Sequence, residues 1–183
     1  MGLVGYLEQF VTGVLRELGS LVLVVGVVAG ALVARPVGRR LHRSPWLVLA
    51  VVVSLTLVAA TTLVPGDSVW QFLRDPIEDP SPRSCVAGGV RRMVSTLWAD
   101  PGGVLNVALF VPAGLTLTLW TRRPLPVLAA LSVASLGIET VQLLIDRQCQ
   151  AGDWLANTLG AAVGVGLAAY GGATRRRPTG SPA

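Results

Sequence analysis

The chain has no lysine, a single histidine, two cysteines and only 5% aromatic residues. Charged residues make up 14% of its 183 positions, where a soluble domain carries about a quarter. Each scarcity excludes something. One histidine, His42, standing among arginines, leaves no serine–histidine or cysteine–histidine arrangement and no zinc-type ligand cluster. Two cysteines are too few for a disulfide scaffold. The low charge, set against 52% hydrophobic residues, excludes an ordinary water-soluble surface. No cofactor motif and no internal repeat is visible.

What the chain has instead is apolar blocks. Five reach spanning length: Leu18–Ala34, Trp46–Val64, Val104–Trp120, Leu125–Ile145 and Trp154–Tyr170. A hydrocarbon core of about 30 Å needs roughly 20 apolar residues, and in lipid the backbone must satisfy itself, so these blocks are expected to be helices. The expected fold is all-α, a polytopic membrane bundle of about five transmembrane helices. Its parts are two N-terminal spans with a basic loop (1–64), an outer loop (65–103), a three-helix core (104–171) and a basic tail (172–183).

The fifteen arginines orient this arrangement. Arg35, Arg39, Arg40 and Arg43 follow the first block, Arg122 and Arg123 separate the third from the fourth, and Arg175, Arg176 and Arg177 follow the fifth, with no acid among them. The remaining loops hold nine acids. The positive-inside rule places the arginine side in the cytoplasm, with the N-terminus outside and the C-terminus inside. The net charge of +5 therefore reads as a topology signal, with no nucleic-acid partner implied. Glu8 and Glu17 precede the first block and arginines follow it, the reverse of a cleaved signal peptide.

The same topology puts Cys85 and Cys149 on the outer side, where disulfides persist, and a Cys85–Cys149 bridge is expected. In the outer loop, Val86, Val90, Met93, Val94, Leu97 and Trp98 recur at helical spacing, which predicts a short amphipathic helix on the membrane face or packed on the bundle. Asp100-Pro101 reads as the cap and first residue of the third span.

Polar residues inside the spans are the candidates for function. On the fourth block Ser132, Ser135, Glu139, Gln142 and Asp146 follow a 3, 4, 3, 4 spacing, which lays them along one stripe. On the fifth, Asp153, Asn157, Gly160, Gly164 and Gly171 share a stripe, and Gly160 with Gly164 forms a small-xxx-small pair. The two stripes are expected to face each other. Asn106, Glu139, Gln142 and Asn157 fall in the outer half, with Arg147, Asp146 and Asp153 above them, which suggests one outward-open polar cluster. Pro112 is expected to kink the third span and widen a cavity below it.

These residues also carry a resemblance. "NVALFVPAG", "SLGIETVQ" and the series Arg147, Asp153, Asn157, Gly160, Gly164 resemble three segments of VanZ-like membrane proteins, over about Leu105 to Ala169. Gln150 stands where many members carry an acid. The resemblance implies a cell-envelope membrane protein, named for low-level resistance to the glycopeptide teicoplanin, with no established reaction. It supports Asn106, Glu139, Gln142, Arg147, Asp153 and Asn157 as the functional set.

Three functions fit these readings. The first is binding of a lipid-linked or amphiphilic ligand, such as an envelope lipid precursor or a glycopeptide, with Arg147 on an anionic headgroup and Asn157 and Gln142 as polar anchors. The second is an intramembrane enzyme acting on an envelope lipid, with Glu139 as acid/base. The third is a small transporter or proton relay through Glu139. Against all three stands simple gluing of helices by the polar side chains.

Overall fold

The computed structural model describes residues 3–63, 101–144 and 151–174, with side chains over 19–63, 103–142 and 152–172. The outer-loop helix, Cys85, Cys149, Asp100, Asp146, Arg147 and the arginine tail lie outside the described residues. Five helices run in chain order: α1 (Leu3–Arg40), α2 (Pro45–Thr62), α3 (Pro101–Thr121), α4 (Pro124–Leu144) and α5 (Ala151–Thr174). Among the described residues there is no strand. Each of α2, α3 and α4 opens on a proline at or near its first position, where the missing N–H costs nothing.

Among the described residues, α1 (over Gly19–Arg40), α2, α3 and α4 are long and apolar enough to cross a membrane by length and composition. The fifth helix is 24 residues long, about 36 Å. Its mean hydropathy is diluted by Asp153, Asn157 and several glycines, of which Gly160 and Gly164 are buried. Its exposed side chains, Leu159, Val163, Leu167 and Tyr170, form one apolar stripe, as a lipid-facing surface requires.

Exposure is inverted relative to a soluble protein. Leu32, Val133, Leu136 and Leu167 are exposed, while Ser54, Thr62, Thr116, Ser135, Glu139 and Asn157 are buried. The core joins four helices around Phe110, which is 1% exposed, with Val58 from α2, Ala113 from α3, Val127 and Leu131 from α4, and Ala161 and Val165 from α5. Hydroxyls pair across it: Ser54 on α2 meets Thr116 on α3 at 3.1 Å, and Thr116 also donates to its own helix at Pro112 O, 2.8 Å away. Interhelical bonds of this kind contribute about 0.6 kcal/mol each in a membrane.

The tightest contact is between α3 and α5, which run parallel. A Cβ on Gly160 would overlap the carbonyl oxygen of Val107, one on Gly164 that of Val111, and one on Gly114 that of Ala161. The two backbones therefore touch directly, at a separation only glycine permits. This corrects the expected partner of Gly160 and Gly164, which pack on α3, whereas Asn157 of the same expected stripe does meet α4 at Ser135.

One further expectation changes. The first helix extends back to Leu3, so that its 38 residues run about 57 Å, well beyond the apolar stretch. Pro112 lies inside α3, and an open groove of about 390 Å³ runs between α1 and α2, lined by Leu21, Val22, Val25, Gly26, Thr56 and Ala59.

Replacing Gly164 by valine should lower stability by about 1–3 kcal/mol through overpacking against α3. Gly166, with open space around its Cα, should accept valine with a much smaller change. Thermal unfolding of both variants in detergent checks this, and equal melting temperatures would contradict the backbone contact.

Candidate functional site

Helix direction gathers the polar residues at one end of the bundle. The side-chain amide of Gln142, near the end of α4, donates to the carbonyl of Thr62, at the end of α2, over 3.0 Å. The C-terminal ends of α2 and α4 therefore lie together. The N-terminal ends of α3 and α5 join them, because both helices run opposite to α4. The last carbonyls of a helix lack intrahelical partners, so Gln142 closes the end of α2. Its partner could not be read from periodicity, since Thr62 is 80 residues away.

Between α4 and α5 a polar seam is built from short side chains. Ser132 pairs with Thr158 at 3.2 Å, and the Trp154 indole donates to Ser132 O at 3.2 Å. One turn on, the Asn157 amide donates to Ser135 Oγ at 3.0 Å. Ser135 and Asn157 are 0% and 2% exposed, so this bond is buried. Glu139 stands a further turn along α4 on the same face, 5% exposed, and is therefore level with the first turn of α5. Asp153 sits in that turn and is half-buried. A carboxylate there gains from the positive end of the helix dipole.

The arrangement answers why an acid occupies an apolar span. Glu139 points into the bundle, where a charged or polar group has protein around it; on the lipid side it would cost about 2.5–3.5 kcal/mol. The seam also leaves an acceptor. Asn157 Oδ1 is buried and has no hydrogen-bond partner among the described residues, since the amide nitrogen serves Ser135. A buried acceptor left in that state costs about 1–3 kcal/mol unless a donor reaches it.

Of the six residues singled out from sequence, Glu139, Asp153 and Asn157 fall within about two helical turns of one another along the α4–α5 seam. Gln142 lies at the same end but faces α2. Asn106 is half-buried on α3, one turn from Phe110 and close to the level of Asn157. Arg147 lies outside the described residues. Sequence reasoning did not single out Thr62, Ser54, Thr116 or Thr158. The available signal was their hydroxyl within an apolar run, with Ser54 and Thr62 two turns apart on one face of α2.

At the opposite end lie the arginines of both described turns. α1 closes on Arg39 and Arg40, followed by a turn in which His42 takes φ 51°, and α3 is followed by Arg122 at φ 60°. Left-handed residues just past a helix end turn the chain back on itself. Among the described residues no acid lies in either turn, so the two ends of the bundle differ in chemical character as well as in position.

No curated protein and no solved structure matches the chain. The family model described as VanZ/LLP1 matches residues 21–171, which takes in the second half of α1, all of α2 to α4 and most of α5, with the polar seam, the Gly160–Gly164 contact and both arginine turns. With that match over most of its length, the chain belongs to the VanZ/LLP1 family.

Proposed function

We propose that the polar end of the bundle binds the headgroup of a lipid-linked or amphiphilic molecule of the cell envelope. The observation that carries this reading is the buried acceptor, Asn157 Oδ1, beside Ser135 and Glu139 at one helix end. A ligand donor placed there would meet an amide oxygen and a carboxyl group together, and Arg147, in the connection between α4 and α5, would supply the charge for an anionic group. The N-terminus outside and the C-terminus in the cytoplasm put this end at the outer leaflet, within reach of an envelope lipid precursor or an amphiphilic glycopeptide. A Cys85–Cys149 bridge would tie the long outer loop to that same end. An effect on teicoplanin susceptibility is then a consequence of ligand capture, and no reaction is required.

Gln142 belongs to a different role. Its donor is used on the Thr62 carbonyl, so it holds α2 to α4 and contributes less to ligand than Glu139 or Asn157.

The two roles separate by mutation. Glu139→Gln should leave melting within a few degrees of the parent yet cut the amount of co-purified lipid, measured by mass spectrometry, by about 10-fold or more, as expected for loss of a hydrogen bond to a charged group. Asn157→Leu should lose the same lipid. Unchanged lipid in both variants, with both folded, would leave helix gluing as the role of the seam.

Gln142→Leu should do the converse. It should destabilise the bundle by about 1 kcal/mol, because the Thr62 carbonyl loses its donor, and should leave the retained lipid nearly unaltered once the protein is folded.

A further inference from the structure

The arginine end has a use that topology alone does not exhaust. Arg35, Arg39 and Arg40 on the last turns of α1, Arg43 in the α1–α2 turn, and Arg122 and Arg123 in the α3–α4 turn are all exposed except the half-buried Arg43. The Ser54–Thr116 pair fixes the height of α2 against α3 and brings the start of α2 and the end of α3 within about one helical turn of each other. The two turns thus form one rim on neighbouring helices. The Arg43 amide donates to Gly38 O at 2.8 Å, folding the first turn back against the end of α1. Among the described residues no acid reaches this rim. The nearest along α4 is Glu139, about 22 Å from Pro124.

Just inside the rim the surface becomes apolar and aromatic. Trp46 and Leu125, at the starts of α2 and α4, are 78% and 77% exposed, and Trp120 is half-buried at the end of α3. Tryptophan at this height marks the headgroup boundary of a bilayer. Arg39, Arg40, Arg43, Arg122 and Arg123 then stand at the height of the phosphodiesters, with Arg35 about one turn further along α1. Their planar forks match phosphate oxygens two at a time, which lysine ammoniums do not. With no carboxylate among the described residues to neutralise them, their counter-charge has to come from outside those residues.

We infer that the arginine rim formed by the α1–α2 and α3–α4 turns is a binding surface for anionic phospholipid headgroups, best for a lipid with two phosphodiesters that bridges both turns. Its occupant sits at the opposite end of the bundle from the Glu139 seam and is independent of the ligand proposed there. The rim selects by phosphate charge, and the acyl chains of its lipid lie against Trp46 and Leu125. The basic turns thereby anchor the bundle at a fixed depth as well as orienting it.

Native mass spectrometry of the detergent-purified full chain tests this with three probes: a two-phosphate cardiolipin, phosphatidylglycerol and zwitterionic phosphatidylcholine. The wild type should bind cardiolipin and phosphatidylglycerol at least 10-fold more tightly than phosphatidylcholine, and added salt should weaken that preference. Combined Arg40→Gln, Arg122→Gln and Arg123→Gln should abolish it, while Glu139→Gln should leave it intact. The Arg→Lys set at the same three positions keeps charge and folding and should bind at an intermediate level. Binding by the lysine set as weak as by the glutamine set would overturn charge pairing as the cause. A preference that survives the glutamine set would place the lipid elsewhere, and displacement by inorganic phosphate would assign the rim to a soluble phosphate. Equal binding of all three lipids by the wild type would end the proposal.

Discussion

The backbone contact between α3 and α5 governs most of what this bundle can do. Without side chains at Gly160, Gly164 and Gly114, two parallel helices touch at the level of their carbonyl oxygens. In lipid no hydrophobic force drives helices together, so close packing has to do that work. The contact also sets rotation. Once Gly160 faces Val107 and Phe110, Asn157 and Thr158 are turned toward α4, and their hydrogen bonds to Ser135 and Ser132 become possible. The polar seam is therefore a consequence of glycine placement on a different helix face. Its position relative to Glu139 follows from the same rotation.

The seam also shows how a membrane bundle places its polar groups. Lipid accepts no unpaired amide or carboxyl group, so Ser54, Thr116, Ser135, Glu139 and Asn157 all turn inward while valine and leucine turn out. Hydroxyls close to a helix can bond back to it, as Thr116 does to Pro112 O, and lose little when no partner is near. Asparagine and glutamate have no such local escape at mid-helix. Their presence inside calls for a partner across a helix interface or a ligand, and Asn157 has used only its nitrogen. That asymmetry, a donor satisfied and an acceptor left, distinguishes Asn157 from the Ser54–Thr116 pair, in which the Thr116 hydroxyl also donates back to its own helix.

Much of this was legible in the sequence, for physical reasons that also explain the rest. Spans are legible because water-free bilayers impose one length and one composition, and Pro101 marked the start of α3 because a first-turn proline has no bond to lose. The inward face of α4 was legible from the spacing of Ser135, Glu139 and Gln142. What periodicity does not contain is the identity of the partner. The Gly160–Gly164 stripe was matched to α4, its neighbour in sequence, but shape fits it to α3. Gln142 was grouped with Asn157, but its donor reaches Thr62 on α2. The helical stretch 3–18 was missed because it is mixed in polarity, and hydropathy reports only what lipid would accept.

The two ends of the bundle impose opposite constraints on any ligand. The end with Glu139, Asp153 and Asn157 presents acceptors and the positive poles of α3 and α5, so it suits a group that both donates and carries some negative charge. The arginine end presents donors alone, so it suits phosphate and nothing cationic. An amphiphile moving between leaflets would meet different chemistry on each side, and among the described residues the core between them is apolar around Phe110, Val58 and Leu131. The geometry thus argues for capture at a leaflet over conduction through the bundle. A relay through Glu139 would need further titratable groups along the axis, and among the described residues the inward-facing polar groups between Ser135 and the arginine rim are hydroxyls.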